Sequence, residues 1–248
     1  MLAAERLENG PPLVALHGFT QTRRSWLPIA PRLPTHHQVT LVDAPGHGGS
    51  AEVRADLWQA ADQLGDAGGR AAYVGYSMGA RICLHLALAH PELVSRLVLI
   101  GAHPGIVDPG ERRLRREHDE ALARRVETEG VPLFVDWWLG QPLFATLDPA
   151  SAGRDDRLTN TADGLASSLR LAGTGSQEPL WGRLAELSMP VLLVAGALDT
   201  KFAGLGRAMA AAIGTNARLE LVPGAGHACH LERPAAFGAV IAEFFPPA

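Results

Sequence analysis

Cysteine is scarce in this 248-residue chain, with only Cys83 and Cys229 present. Two are too few for a disulfide framework or a four-ligand zinc site, so both are expected as buried free thiols. Long apolar runs are absent as well. Stretches such as Val191 to Ala195 fall far short of the roughly 20 residues that a membrane helix requires. The opening Met1-Leu-Ala-Ala-Glu-Arg-Leu-Glu places charges where a signal peptide has its apolar centre. These features predict a cytoplasmic protein with no stable membrane association. There is no basic excess, and a formal net charge of -4 gives no reason to expect a nucleic-acid partner. Repeats, low-complexity tracts and Ser/Gly/Pro-rich linkers are missing too. With 47% hydrophobic and 19% charged residues, the chain reads as one ordinary globular domain, long enough for a sizeable core and carrying an insertion.

What the sequence does hold is organised around Tyr73-Val-Gly-Tyr-Ser-Met-Gly-Ala-Arg81, which reads Gly75-x-Ser77-x-Gly79. An apolar run from Ala71 to Val74 precedes it and the helix-like Ile82 to His90 follows. This pattern predicts a strand that turns sharply into a helix with a serine at the corner, a nucleophile elbow.

On either side of the elbow, short apolar runs alternate with helix-length segments. Pro12 to His17, Gln38 to Asp43 and Leu97 to Gly101 are expected as further strands, and Leu57 to Leu64 and Met78 to His90 as helices. From His103 to Leu187 the strand runs stop, and Glu111 to Glu129 reads as a charged helix followed by Val131 to Leu139. The strand pattern resumes with Val191 to Ala195 and Ala217 to Val222, accompanied by helices over Ala203 to Ala212 and Pro234 to Phe245. Such alternation implies a mostly parallel sheet flanked by helices. With a helical cap inserted before its last strands, the plan is that of an α/β-hydrolase fold. The expected core is 1–102 and 188–248, and the expected cap is 103–187.

A serine hydroxyl needs an imidazole to take its proton, and that imidazole needs a carboxylate to fix its tautomer. Asp199 follows the Val191 strand and His227 follows the Ala217 strand, each at the edge where parallel sheets place their sites. Ser77, Asp199 and His227 thus stand in the chain order of the hydrolase triad. His230 is the competing base, ranked second because it lies nearer the final helix. His17, His47 and His103 also sit at strand ends without an assigned catalytic role, His17 being expected to brace loops through its ring. Fold geometry points to the backbone N–H groups of Met78 and Phe19 as oxyanion donors. Arg81 lies four residues beyond Ser77 in an apolar helix. Its partner is either an anionic substrate or an acidic residue of the covering segment, and spacing does not choose between them.

These residues resemble one branch of the superfamily, the 2-succinyl-6-hydroxy-2,4-cyclohexadiene-1-carboxylate synthases of menaquinone biosynthesis. The resemblance runs through His17-Gly-Phe19 with Trp26, Asp43-Ala-Pro-Gly-His-Gly-Gly-Ser50 and the elbow with Arg81. It continues through Gly101-Ala-His-Pro-Gly105, Asp136-Trp137 with Gln141-Pro142 and Phe144, Asp199-Thr-Lys-Phe202 and Gly226-His227. Ala44, Ala80 and Gln21 depart from the residues common there, without removing a charge or a catalytic group. By position, the resemblance implies substrate contacts from Arg81, Arg115 and Trp137, with Tyr76 nearby. It implies a lyase that removes pyruvate from a small poly-anionic enolpyruvyl substrate, with no metal or organic cofactor. A carboxylesterase or carbon–carbon bond hydrolase using the same triad is the first alternative, and a non-catalytic binding module of the same fold is the second. Oligomeric state is not legible in the sequence.

Overall fold

The computed structural model describes residues 1–7, 10–33 and 37–245. The remaining residues of the expected core ranges lie outside that description. Seven strands form one sheet: β1 (Ala4–Leu7), β2 (Pro12–Leu16), β3 (Gln38–Val42), β4 (Ala71–Tyr76), β5 (Val94–Ile100), β6 (Val191–Gly196) and β7 (Ala217–Val222). Their spatial order is β1-β3-β2-β4-β5-β6-β7, parallel throughout except for β1, which runs antiparallel to β3.

Helices α1 (Leu57–Gly68), α2 (Met78–Ala89), α7 (Thr200–Ile213) and α9 (Pro234–Phe244) flank the sheet, and the short α8 (Cys229–Glu232) precedes α9. The central strand β4 is buried along its whole length and faces two cores. Ala71 and Tyr73 join the cluster under α1 and α2, while Ala72, Val74 and Tyr76 join the one under α9. That period of two is what a strand covered on both faces requires. Both cysteines are free and buried.

Between β5 and β6 the chain leaves the sheet and builds α3 (Pro109–Glu129), α4 (Val131–Leu139), α5 (Arg154–Arg157) and α6 (Ala162–Ala172). No strand occurs there among the described residues. These helices have their own apolar centre, with Leu122, Val126, Phe134, Val135, Leu165 and Leu169. β5 and β6 pair directly, Leu97 opposite Val191, so the inserted segment leaves and re-enters the sheet at neighbouring strands.

Element boundaries differ from expectation where side chains rather than apolar runs decide them. α7 starts at Thr200 because the Asp199 carboxylate accepts a hydrogen bond from Phe202 N–H at 3.3 Å, an N-cap. α3 starts at Pro109 in the same way, capped by Asp108. β1 was not expected: it is an exposed four-residue edge strand without an apolar run.

Candidate active site

β4 delivers Ser77 to the C-terminal edge of the sheet, and α2 begins at the next residue. Ser77 is held at φ 53°, ψ -106°. This is a conformation that a non-glycine residue adopts at a cost of about 1–3 kcal/mol. Two or so buried side chains such as those of β4, at roughly 1.5–3 kcal/mol each, offset that strain. The elbow closes only on glycine at its two flanks. A Cβ at Gly75 would stand 2.5 Å from Gly79 O, and one at Gly79 would stand 2.4 Å from Leu16 O.

The loop after β6 brings Asp199, and the loop after β7 brings His227. The imidazole places Nδ1 2.8 Å from Asp199 Oδ2 and Nε2 3.1 Å from Ser77 Oγ. An ionised carboxylate can only accept, so Nδ1 carries the proton and Nε2 presents a lone pair to the Ser77 hydroxyl. The other oxygen of Asp199 caps α7, so both carboxylate oxygens are engaged. Phe202 packs on the His227 ring with centroids 4.4 Å apart.

His230 does not compete for this place. Its ring is buried against Tyr76 and Trp26 at 4.4 and 5.2 Å, and burial, reinforced by neighbouring His227 and Arg157, pushes its pKa down to about 3. His17 donates from Nδ1 to Gly18 O at 2.8 Å and accepts from Ala44 N–H at Nε2 at 3.1 Å, the bracing that its position predicts.

Ser77, Met78, Phe19 and His227 line a cavity of about 160 Å³ roofed by the inserted helices. Met78 is the first residue of α2, where an amide has no acceptor in the preceding turn. Phe19 N–H has no hydrogen-bond acceptor among the described residues.

Arg81 and Arg115 reach the same cavity. Arg81 is 8% exposed and donates to Ala172 O at 2.7 Å and Gln177 Oε1 at 3.5 Å. No carboxylate lies within ion-pair distance of it among the described residues. Burial, with repulsion from Arg115, lowers its pKa to about 10, which still leaves it charged at neutral pH. Of the four arginines clustered in α3, Arg115 is the one at the cavity, while Arg113 and Arg116 line an outer groove. Arg115 Nε donates to Asp119 Oδ1 at 2.8 Å, and Gly175 N–H donates to Asp119 Oδ2 at 3.0 Å.

Two expected contacts are corrected. Trp137 does not line the cavity: the Arg125 guanidinium covers its ring at 4.1 Å, and Trp138, on the adjacent face of α4, lines the cavity instead. Tyr76 is 3% exposed and sits behind the triad, with its ring 5.4 Å from that of His227, so it supports the histidine rather than facing the cavity. Sequence reasoning passed over Lys201 as a cavity residue, although it stands in the Asp-x-Lys-Phe motif. It left His103 unassigned. His103 lines the cavity with Nδ1 accepting from Gly105 N–H at 3.0 Å, and burial beside Lys201, Arg81 and Arg115 pushes its pKa down to about 4.

A parallel sheet with a serine elbow, an acid and a histidine on successive strand-end loops, and a helical roof define an α/β hydrolase. The family model for the alpha/beta hydrolase fold matches residues 11–234, and the chain belongs to that family. Within it, the chain belongs with the 2-succinyl-6-hydroxy-2,4-cyclohexadiene-1-carboxylate synthases. The enzyme of that name from Serratia proteamaculans (strain 568) is 33% identical, covering 98% of this chain and 98% of its own length. A relative from Bacillus subtilis (strain 168) is 36% identical over 94% of this chain and 89% of its own. Among solved structures, MenH from S. aureus superposes with a TM-score of 0.87 at 30% identity, covering 98% of this chain and 97% of the other. A Thermogutta terrifontis esterase shares the fold at a TM-score of 0.84 but only 24% identity. Fold likeness of that kind does not choose the reaction.

Proposed function

We propose that this chain catalyses elimination of pyruvate from 2-succinyl-5-enolpyruvyl-6-hydroxy-3-cyclohexene-1-carboxylate, giving 2-succinyl-6-hydroxy-2,4-cyclohexadiene-1-carboxylate. Residues 1–102 and 188–248 form the catalytic core in this reading, and residues 103–187 form its cap. His227 withdraws the Ser77 proton, and Ser77 Oγ then takes the ring proton acidified by the succinyl ketone. The C–H electron pair moves through the ring alkene, the carbon–oxygen bond to the enolpyruvyl group breaks, and the departing enolpyruvate takes up a proton to become pyruvate. Asp199 holds the imidazole and stabilises its charge. The Phe19 and Met78 amides receive the developing enolate oxygen. Arg81, Arg115 and Lys201 provide positive charge for the substrate carboxylates. The lyase chemistry needs no metal or organic cofactor.

The observation that carries this reading is Arg81. A buried guanidinium lining the same cavity as Ser77, hydrogen-bonded among the described residues to neutral acceptors, leaves charge available to an anion in the cavity. A neutral ester would leave that charge unanswered.

The test is incubation with the enzymatically prepared enolpyruvyl substrate while pyruvate and the diene chromophore are followed together. Stoichiometric appearance of both is expected. Turnover of a neutral p-nitrophenyl ester with no pyruvate release would overturn the lyase assignment in favour of a hydrolase.

A further inference from the structure

The loop that carries Phe19 is held from two sides, and one of them is the cap. A peptide unit is planar, so the direction of Phe19 N–H is fixed by where Gly18 C=O points. Gly18 O accepts from His17 Nδ1 at 2.8 Å and from Gln21 N–H at 3.1 Å, both within the core.

The next peptide unit is gripped from above. Phe19 O accepts from Arg157 Nη1 at 3.4 Å, while Thr20 N–H donates to His47 Nε2 at 3.3 Å. Thr20 stands at φ 67°, a left-handed conformation that a β-branched residue keeps only under constraint. Asn160 supplies part of that constraint by donating to Thr20 O at 2.7 Å while accepting from Gly48 N–H at 2.9 Å. Arg157 supplies more through a hydrogen bond to Thr20 Oγ1. Thr22 Oγ1 in turn reaches the Asp156 carboxylate at 2.8 Å.

Arg157 is 2% exposed, and its hydrogen-bond partners among the described residues, Ala152 O included, are neutral oxygens. A cation buried against neutral acceptors is a costly way to stabilise a fold. It is an effective way to orient carbonyls, because a planar guanidinium aims several donors at once. Burial lowers its pKa only to about 10, so the grip persists at neutral pH.

We propose that Arg157 and Asn160 are positioning residues for the oxyanion hole: by fixing the Phe19–Thr20 segment from the cap, they keep the Phe19 amide aimed at the oxygen above Ser77. Closure of the hole then depends on a seated cap as well as on the core. The inference rests on the proposed role of the Phe19 amide and is independent of which substrate the site takes.

Phosphonylation of Ser77 by a small neutral fluorophosphonate reads the hole directly, since the attacked phosphoryl oxygen occupies it. Arg157→Met, Asn160→Ala and Thr20→Val are compared with the parent protein, with circular dichroism and thermal melts identifying folded variants. Misplacing a catalytic donor by about 1 Å costs up to about a hundredfold in rate, so phosphonylation is expected to slow between roughly tenfold and a hundredfold. With the enolpyruvyl substrate, kcat should fall in parallel while KM stays within about twofold, as for a contact made only in the transition state. Thr20→Ser, which keeps the hydroxyl, should label at nearly the parent rate. Should Arg157→Met fail to fold, the isosteric Thr20→Val and the small Asn160→Ala carry the test. Folded variants that label at the parent rate would overturn the proposal, as would a loss seen only in thermal stability. Absence of pyruvate release by the parent protein would sink the lyase reading while leaving the labelling comparison intact.

Discussion

Asp199 divides its two oxygens between the proposed triad and a helix cap, and the division can be tested by a single-group change. Oδ2 faces His227 and Oδ1 caps α7. Asparagine caps helices as well as aspartate does, so Asp199→Asn should leave the thermal midpoint nearly unchanged. Turnover should drop by on the order of 10³ to 10⁴, because an amide no longer enforces the His227 tautomer. Asp199→Ala should lose the cap as well, adding about 1 kcal/mol of destabilisation in urea. Equal activity in the Asn variant would move the acid elsewhere. Arg81→Ala is expected to lower kcat/KM for the anionic substrate by about ten- to over a hundredfold, equivalent to about 1.5–3 kcal/mol, while sparing phosphonate labelling of Ser77. Arg81→Lys should restore only part, since an ammonium lacks the planar fork; unchanged kcat/KM in Arg81→Ala would make the residue structural. The hydrogen-bonded set Ser77, Asp199 and His227 was legible because its members stand at strand ends in the chain order of the hydrolase triad, with His230 as the one competitor in the same loop. Trp137 and Trp138 were not separable that way: neighbours in sequence project about 100° apart on a helix, and packing against Phe134 and Phe19 decided which one meets the cavity.

α3 shows how an element's rotation selects among equivalent residues. Asp119, Leu122, Ala123 and Val126 are its buried positions, and Arg115 lies one turn before Asp119 on the same stripe. An acidic residue inside that apolar stripe, four places after an arginine, was a readable sign that Arg115 turns inward. The run of four arginines hid it. Asp119 is 1% exposed and joins Arg115 to the loop at Gly175, so Asp119→Ala should lose two charge-assisted hydrogen bonds and leave Arg115 unanchored. A loss of about 2 kcal/mol is expected, with discounting for the partly exposed arginine, and should appear as a lower urea midpoint alongside a raised KM. A parent-like midpoint would show that the loop is held by other contacts. β1 is the opposite case: exposed, short and antiparallel, it takes its place from pairing with β3, which no local pattern announces.

At the scale of the whole molecule, several histidines are buried in neutral form. Burial above all lowers His47 and His230 to about 3 and His85 to about 4 from an ordinary value of 6.5. Well above pH 6.5, folded and unfolded chains are both neutral at these sites and the full stability is present. As pH falls, the unfolded chain takes up protons that the folded one refuses, so stability declines from about pH 6.5 down towards pH 3 to 4. Each fully buried histidine contributes a slope of about 1.4 kcal/mol per pH unit within that window. Urea midpoints at pH 7.5, 6.5 and 5.5 should therefore fall slightly over the first step and about three times as much over the second; a flat profile would mean these rings are not held neutral. The adjacency of β5 and β6 has a different consequence, for how such enzymes can diversify. Because the inserted segment departs and returns at paired strands, its length barely affects closure of the sheet, each doubling adding only about 0.6 kcal/mol of loop entropy. A foreign roof could be grafted there with little offence to folding. It would nevertheless inherit a debt at the doorway of β2, for whatever replaces α5 and the turn to Asn160 must bring its own donors for the carbonyls of Phe19 and Thr20.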